Sequence, residues 1–127
     1  MILGLGTDLV QVARIRQSIA RFGDRFLNRV FTEHEQAYAS SKANSAERFA
    51  ARFAAKEAGM KAIGTGWNRG VTWKDFEVVN QPSGRPTLRL AGVAQGVASR
   101  LGVHRISISL THTAETAFTV VVLEDGK

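Results

Sequence analysis

The stretch from Asn44 to Ile63 constrains the fold more than any other. Alanine stands at positions 46, 50, 51, 54, 55, 58 and 62, and alanine has the highest helix propensity. Gly64-Thr65-Gly66 supplies a stop, and Asn44 with Glu47 three residues later supplies a start. A helix from Asn44 to Ile63 is therefore expected, with small side chains that let its neighbours come close. Gly59 in its interior costs about 1 kcal/mol against alanine, so some neighbour is expected to need the space.

The charges on this helix stand out. At 3.6 residues per turn, Phe49, Phe53, Glu57 and Met60 or Lys61 share one side. Glu57 thus extends an apolar stripe. One step round, Arg48, Arg52 and Lys56 form a basic row. A carboxylate flanked by cations suggests a site for a metal ion and phosphates. The plainer reading is a Glu57–Lys61 ion pair contributing roughly 0.2–0.5 kcal/mol, beside a solvated basic face. On spacing alone the plainer reading leads.

The rest of the chain supplies a frame. Ile2 to Leu5 reads as a strand, with Gly4 and Gly6 permitting close backbone approach. Thr7-Asp8 would stand at its end, where Asp8 could cap the following helix. Val12, Ile15, Ile19 and Phe22 mark an amphipathic helix ending at Gly23. Asp24 is expected to cap a short helix through Phe31, and Thr32 with Glu35 forms a capping box for a third. His34 is expected to be exposed. After a polar break at 40–45 and the long helix, the period changes. Phe76 and Val78, then Leu88 and Leu90, alternate as a strand pair joined through Gln81–Pro86. Ala91–Leu101 is helical; Val103–Leu110 and Ala117–Leu123 are strands joined by a turn at Thr111–Glu115. The fold class is α+β, a single domain over 1–127, with an antiparallel sheet packed against a long central helix and shorter helices.

Composition removes several chemistries. There is no cysteine, which excludes disulfides, thiolate catalysis and cysteine-based zinc sites. No apolar run approaches a membrane span, and the start lacks the cationic segment of a signal peptide, so a cytoplasmic protein without a membrane partner is expected. The formal net charge is +6, concentrated in the helical first half, which favours an anionic partner. Gly4-Leu5-Gly6 lacks the third glycine of a dinucleotide fingerprint, and there is no phosphate-binding P-loop.

What remains is a pair of carboxylates in matching settings: Asp8 after Gly6, and Glu57 among cations. Two carboxylates with substrate phosphates are a common way to hold Mg²⁺. At this point the sequence resembles a known family. Gly6-Thr7-Asp8 followed by Phe53-Ala54-Ala55-Lys56-Glu57-Ala58-Gly59-Met60-Lys61 is similar to the paired signature of the 4′-phosphopantetheinyl transferases. The length, the Gly84-Arg85-Pro86 turn and Ser107-Ile108-Ser109-Leu110-Thr111-His112 resemble the small bacterial type. Thr7, at a position more often aliphatic, and Gly59-Met60 depart from the usual pattern without touching the metal ligands.

The resemblance implies an enzyme that moves phosphopantetheine from coenzyme A to a serine of an acyl carrier protein and releases adenosine 3′,5′-bisphosphate, in support of fatty acid biosynthesis. By it, Asp8 and Glu57 hold Mg²⁺ against the pyrophosphate, and Lys61 contacts the phosphates and stabilises the leaving group. Lys56 becomes a phosphate contact or a structural partner. Arg52, Gly84, Arg85, Pro86 and His112 become nucleotide contacts. Arg14, Arg21 and Arg25, with Phe22 as an apolar contact or a core residue, become the dock for the acidic carrier. The resemblance also implies a homotrimer with sites between subunits, in which Arg52, Arg85 or His112 serve a neighbour. A metal-bound water or either carboxylate remains open as the acceptor of the serine proton.

Two other classes fit part of the sequence. A basic module for nucleic acid or an acidic protein explains the charge but leaves Asp8 and Glu57 without a role, and it lacks the surface aromatics of single-strand binders; no nucleic acid partner is expected. A metal-dependent phosphohydrolase would use the same carboxylates on another ester.

Overall fold

A computed structural model describes the whole chain, Met1–Lys127. Its elements are β1 (Ile2–Gln11), α1 (Val12–Phe22), α2 (Asp24–Val30), α3 (Glu33–Ser40), α4 (Ser45–Ile63), a 3₁₀ turn at Trp73–Asp75, β2 (Phe76–Asn80), β3 (Pro86–Leu90), α5 (Gly92–Leu101), β4 (Arg105–His112) and β5 (Thr116–Glu124). The α+β class read from the sequence is met. The strands form not one sheet but two: a three-stranded antiparallel sheet in the order β1-β5-β4, and the separate β2-β3 ribbon.

Helix α4 is the spine. Most of its residues are buried, and two apolar clusters divide it lengthwise. Its N-terminal half packs Phe49 and Phe53 with Val12 and Ile15 of α1 and Val30 and Phe31 around α2. Its C-terminal half packs Met60 and Ile63 with Phe76, Val78, Leu88, Leu90 and α5. Each large apolar side chain removed from water contributes about 1.5–3 kcal/mol, so sequence-distant segments all draw stability from one helix.

The glycines explain how close these elements come. A Cβ on Gly6 would sit 1.9 Å from the Ala58 carbonyl oxygen, and one on Gly4 would sit 2.4 Å from that of Ala62. Strand β1 therefore lies against α4 backbone to backbone. On the far side of α4, a Cβ on Gly59 would meet Phe76 Cδ1 at 2.9 Å and Leu88 Cδ2 at 3.0 Å. The space expected at Gly59 is taken by the β2-β3 ribbon.

Several local expectations change. Strand β1 does not stop before Asp8 but pairs with β5 as far as Gln11, with Asp8 opposite Thr119. Asp8 is consequently no helix cap; the N-cap of α1 is Gln11, without a side-chain bond. Gly23, not Asp24, is the N-cap of α2, with Asp24 in the first turn. At α4, Asn44 is the N-cap residue, but its side chain bonds Glu47 and Arg48 instead of capping the backbone. The Thr32–Glu35 capping box forms as expected, with Glu35 N donating to Thr32 Oγ1 at 3.2 Å and Thr32 N donating to Glu35 Oε1 at 3.0 Å. His34 is exposed. Strand β4 reaches through His112, so the hairpin turn is only Thr113–Glu115. No helix is long and apolar enough to cross a membrane.

Candidate active site

Strand alternation decides where Asp8 points. Gly6 and Val10 are buried on the side of β1 that meets α4, whereas Leu5, Thr7 and Leu9 are exposed on the other. Asp8 shares the parity of Gly6 and Val10, so its carboxylate lies over α4. There Lys61 Nζ is 3.1 Å from Asp8 Oδ1 and donates to the Thr7 carbonyl at 3.1 Å. The ammonium binds β1 rather than Glu57 one turn back. Half of its side chain remains exposed.

Glu57 is half-buried on α4. Burial, and next the Asp8 charge, push its carboxyl above the ordinary range; the Trp67 indole, Lys61 and Arg14 act in the opposite direction. Behind it, Trp67 packs on Trp73 with ring centroids 4.1 Å apart, and Trp73 on Phe53 at 4.8 Å. Two carboxylates sharing a half-dry setting, with no third acidic or imidazole side chain beside them, are hard donors suited to Mg²⁺. They leave coordination positions for water and phosphate oxygen.

The basic row does not form part of this surface. Lys56 is fully buried, with Nζ 2.7 Å from Glu35 Oε1. It also donates to the carbonyls of Trp73, at 3.3 Å, and Phe76. Glu35 Oε2 accepts from Val78 N at 2.9 Å. Burial lowers the Lys56 ammonium pKa, and Glu35 opposes that. Of the two roles open for Lys56, phosphate contact is corrected to structural partner: β2 and α3 cover that face of α4, so no anion can reach it. Arg52 is also inside, only 4% exposed. Its Nη2 donates to Asn80 Oδ1 at 3.0 Å, its guanidinium lies 4.3 Å from the Tyr38 ring centroid, and its Nε has no partner. The row is therefore broken: Arg52 and Lys56 face the interior, while half-buried Arg48 donates to Asn44 Oδ1 at 3.2 Å.

The remaining residues fall elsewhere. Gly84, Arg85 and Pro86 close the β2-β3 turn, with Arg85 exposed. His112 ends β4; its Nδ1 lies 3.2 Å from Glu47 Oε2 but makes no hydrogen bond. No hydrogen bond or ion pair links Arg52, Arg85 or His112 to Asp8, Glu57 or Lys61.

On α1 the exposed side carries Arg14, Arg21 and Phe22, and a groove of about 520 Å³ runs along them. Phe22 is 46% exposed, so it is not core. Arg21 lies over its ring at 5.2 Å. Arg25 lines an adjoining groove with Phe22, Phe26 and Arg29. Arg14 lies over Phe53 at 5.8 Å and its charge acts on Glu57, which makes the helix continuous with the carboxylate site. Sequence reasoning missed Trp67 and Trp73. Their only signal was the presence of large aromatics just after the helix stop.

Residues 4–121 match the 4′-phosphopantetheinyl transferase superfamily. The chain belongs to that family and is an enzyme of the transferase class. Within the family its relatives are of one kind. It is 58% identical over 125 residues to a holo-[acyl-carrier-protein] synthase of Solibacter usitatus and 60% identical over 125 residues to that of Koribacter versatilis; each alignment covers 98% of this chain and 100% of the relative. Among solved structures, a holo-(acyl-carrier-protein) synthase from Bacillus anthracis in complex with CoA (3′,5′-ADP) superposes with a TM-score of 0.80 at 35% identity, over 99% of each chain.

Proposed function

We propose that the protein transfers 4′-phosphopantetheine from coenzyme A to a serine of apo acyl carrier protein, with Mg²⁺, and so supplies fatty acid biosynthesis in the cytoplasm. The observation that carries this reading is the meeting of Asp8, Glu57 and Lys61 where β1 crosses α4. The names of the relatives, and the coenzyme A bound to one of them, support the substrate assignment.

In the reaction the serine hydroxyl gives up its proton, to Asp8, Glu57 or a water beside them, as its oxygen bonds to the pantetheine-side phosphorus. The bond from that phosphorus to the bridging oxygen breaks, and its electron pair leaves with adenosine 3′,5′-bisphosphate. Mg²⁺ held by Asp8 and Glu57 would supply Lewis-acid stabilisation of the pyrophosphate. Lys61, fixed by Asp8 and the Thr7 carbonyl yet half-exposed, sets a cation beside the leaving oxygens without rearrangement. The aromatic packing of Trp67, Trp73 and Phe53 gives Glu57 an apolar backing, and the Trp67 indole hydrogen bond steadies its charged form. Arg14, Arg21, Arg25 and Phe22 receive the acidic carrier, and complementary charge of this kind chiefly speeds encounter.

The outward face of the three-stranded sheet supports association between copies of the chain, which we read as a homotrimer. Leu5 and Leu9 are 61% and 64% exposed there, beside half-buried Phe118, Val120 and Val122. In a trimer through this face, Arg85 or His112 would complete a neighbour's nucleotide site.

The experiment mixes the protein with apo acyl carrier protein, coenzyme A and Mg²⁺ and weighs the carrier. A mass gain of one phosphopantetheine supports the reading. Hydrolysis of coenzyme A without that gain would favour a phosphohydrolase, and neither change would refute both.

A further inference from the structure

We propose that Asn80 is a positioning residue for the nucleotide half of coenzyme A, aiming Arg85 through a relay that starts at buried Arg52. The inference rests on the transferase reading above, in which the Gly84-Arg85-Pro86 turn meets the nucleotide. Arg52 is held on one side by the Tyr38 ring, 4.3 Å away, and donates through Nη2 to Asn80 Oδ1 at 3.0 Å. Asn80 Nδ2 then donates to the Gly84 carbonyl at 3.0 Å.

The chemistry of the three groups fixes the order. A guanidinium only donates and a carbonyl only accepts, so the group between them must accept on one side and donate on the other. A carboxamide does both; a carboxylate, a hydrocarbon or an ammonium does not. The Asn80 amide is thereby oriented without ambiguity.

The bond to Gly84 has leverage because of where it falls. The Gly84 carbonyl and the Arg85 N–H share one rigid peptide plane. Holding that oxygen sets the direction in which the chain enters Arg85, and hence its Cα–Cβ bond. The turn is closed by Gln81 N donating to the Arg85 carbonyl at 2.8 Å and by Gly84 N donating to the Gln81 carbonyl at 2.7 Å. Gly84 has φ +91°, a conformation that gives the plane little steric restraint of its own. A Cβ there would touch nothing, so packing does not hold it either. The relay supplies the restraint together with Ser83 Oγ, which accepts from Arg85 N at 3.4 Å, and so sets the direction in which the Arg85 side chain leaves the turn.

Asparagine-80 substitutions separate this from a merely structural role. Asn80→Asp keeps the acceptor for Arg52 but has no donor for Gly84; Asn80→Ala removes both. We expect each to weaken adenosine 3′,5′-bisphosphate binding by calorimetry, and to raise KM for coenzyme A, by about tenfold. The melting temperature of Asn80→Asp, kcat and KM for carrier protein should stay at wild-type values. Adding Arg85→Ala to Asn80→Asp should cost no more than Arg85→Ala alone, because both act on one cation. Wild-type binding by Asn80→Asp, or full multiplication of the two losses, would overturn the relay. Wild-type protein that binds no adenosine 3′,5′-bisphosphate and modifies no carrier would overturn the underlying transferase reading instead.

Discussion

Lys61 bonds Asp8 across the β1–α4 contact at 3.1 Å and leaves Glu57, its i−4 neighbour, to the half-buried interior. The cation is thus a strand-to-helix link as well as a helix charge. Lys61→Ala should cut kcat by about 10²–10³-fold, the scale of losing one preorganised charge donor. Its half-exposed ion pair contributes at most about 1 kcal/mol to stability. Steady-state kinetics beside a urea melt check both; a fall in stability large enough to explain the lost activity would count against the catalytic role.

Glu57 gives a pH test with a definite sign. Its folded-state pKa lies above the ordinary carboxylate value. Ionised Glu57 therefore opposes folding, absent metal, and the penalty grows as pH rises from the ordinary value through the raised one. Metal-free Glu57→Gln should melt higher than wild type at pH 7 and equal to it near pH 3. Added Mg²⁺ should raise the wild-type melting temperature and leave the variant's unchanged. Scanning calorimetry at both pH values, with and without Mg²⁺, reads all of this.

Gly6→Ala tests the backbone contact of β1 with α4. The added methyl would stand 1.9 Å from the Ala58 carbonyl oxygen, so the strand must move. Overpacking of this kind costs roughly 1–3 kcal/mol, measurable by denaturant titration. Because Asp8 moves with the strand, Mg²⁺ affinity should fall as well. Unaltered Mg²⁺ binding in a destabilised variant would show that the strand position does not set the site.

For Lys56, the buried pair with Glu35 implies a stability role. Lys56→Met alone leaves Glu35 unpaired in the interior and should cost about 3–5 kcal/mol. Lys56→Met with Glu35→Gln should recover part of that, with KM for coenzyme A near wild type. A stable double variant with a strongly raised KM would restore Lys56 as a phosphate contact.

The carrier dock is best probed at Arg21, since Arg14 also acts on Glu57. Arg21→Glu should raise KM for acyl carrier protein by about tenfold and leave adenosine 3′,5′-bisphosphate binding as it was. Added salt should narrow the difference from wild type. An equal loss for both ligands would place the defect in the fold.

Much of this was legible in the sequence because it is local. The capping box at Thr32–Glu35, the helix stop at Gly64 and the crowding at Gly59 each depend on residues a few positions apart or on a missing side chain. Asp8 and Glu57 stand out as two carboxylates in matching settings, but it is the resemblance that gives their pairing its weight. The basic row was misread because a helical wheel shows which residues share a side, not what covers it. The Phe76 carbonyl and Glu35 claim Lys56, and Asn80 claims Arg52, from segments distant in the chain. The extension of strand β1 beyond Leu5 has a related cause. Gly6 and Asp8 lack the side chains of a good strand, and pairing with β5 keeps them extended. Nothing local signalled that Asp75 would accept from Ala94 N at the start of α5.

The contact of Gly4 and Gly6 with α4 bears on how the enzyme tolerates change. Where strand and helix meet without side chains, the interval between them is fixed by atoms that every sequence shares. Exchanges among leucines, valines and phenylalanines elsewhere in the interior alter how long the molecule lasts, while the distance between its two acidic groups stays gauged by the peptide chain itself. Durability and chemistry can then drift independently, apart from a pair of positions where a single methyl would shift both at once.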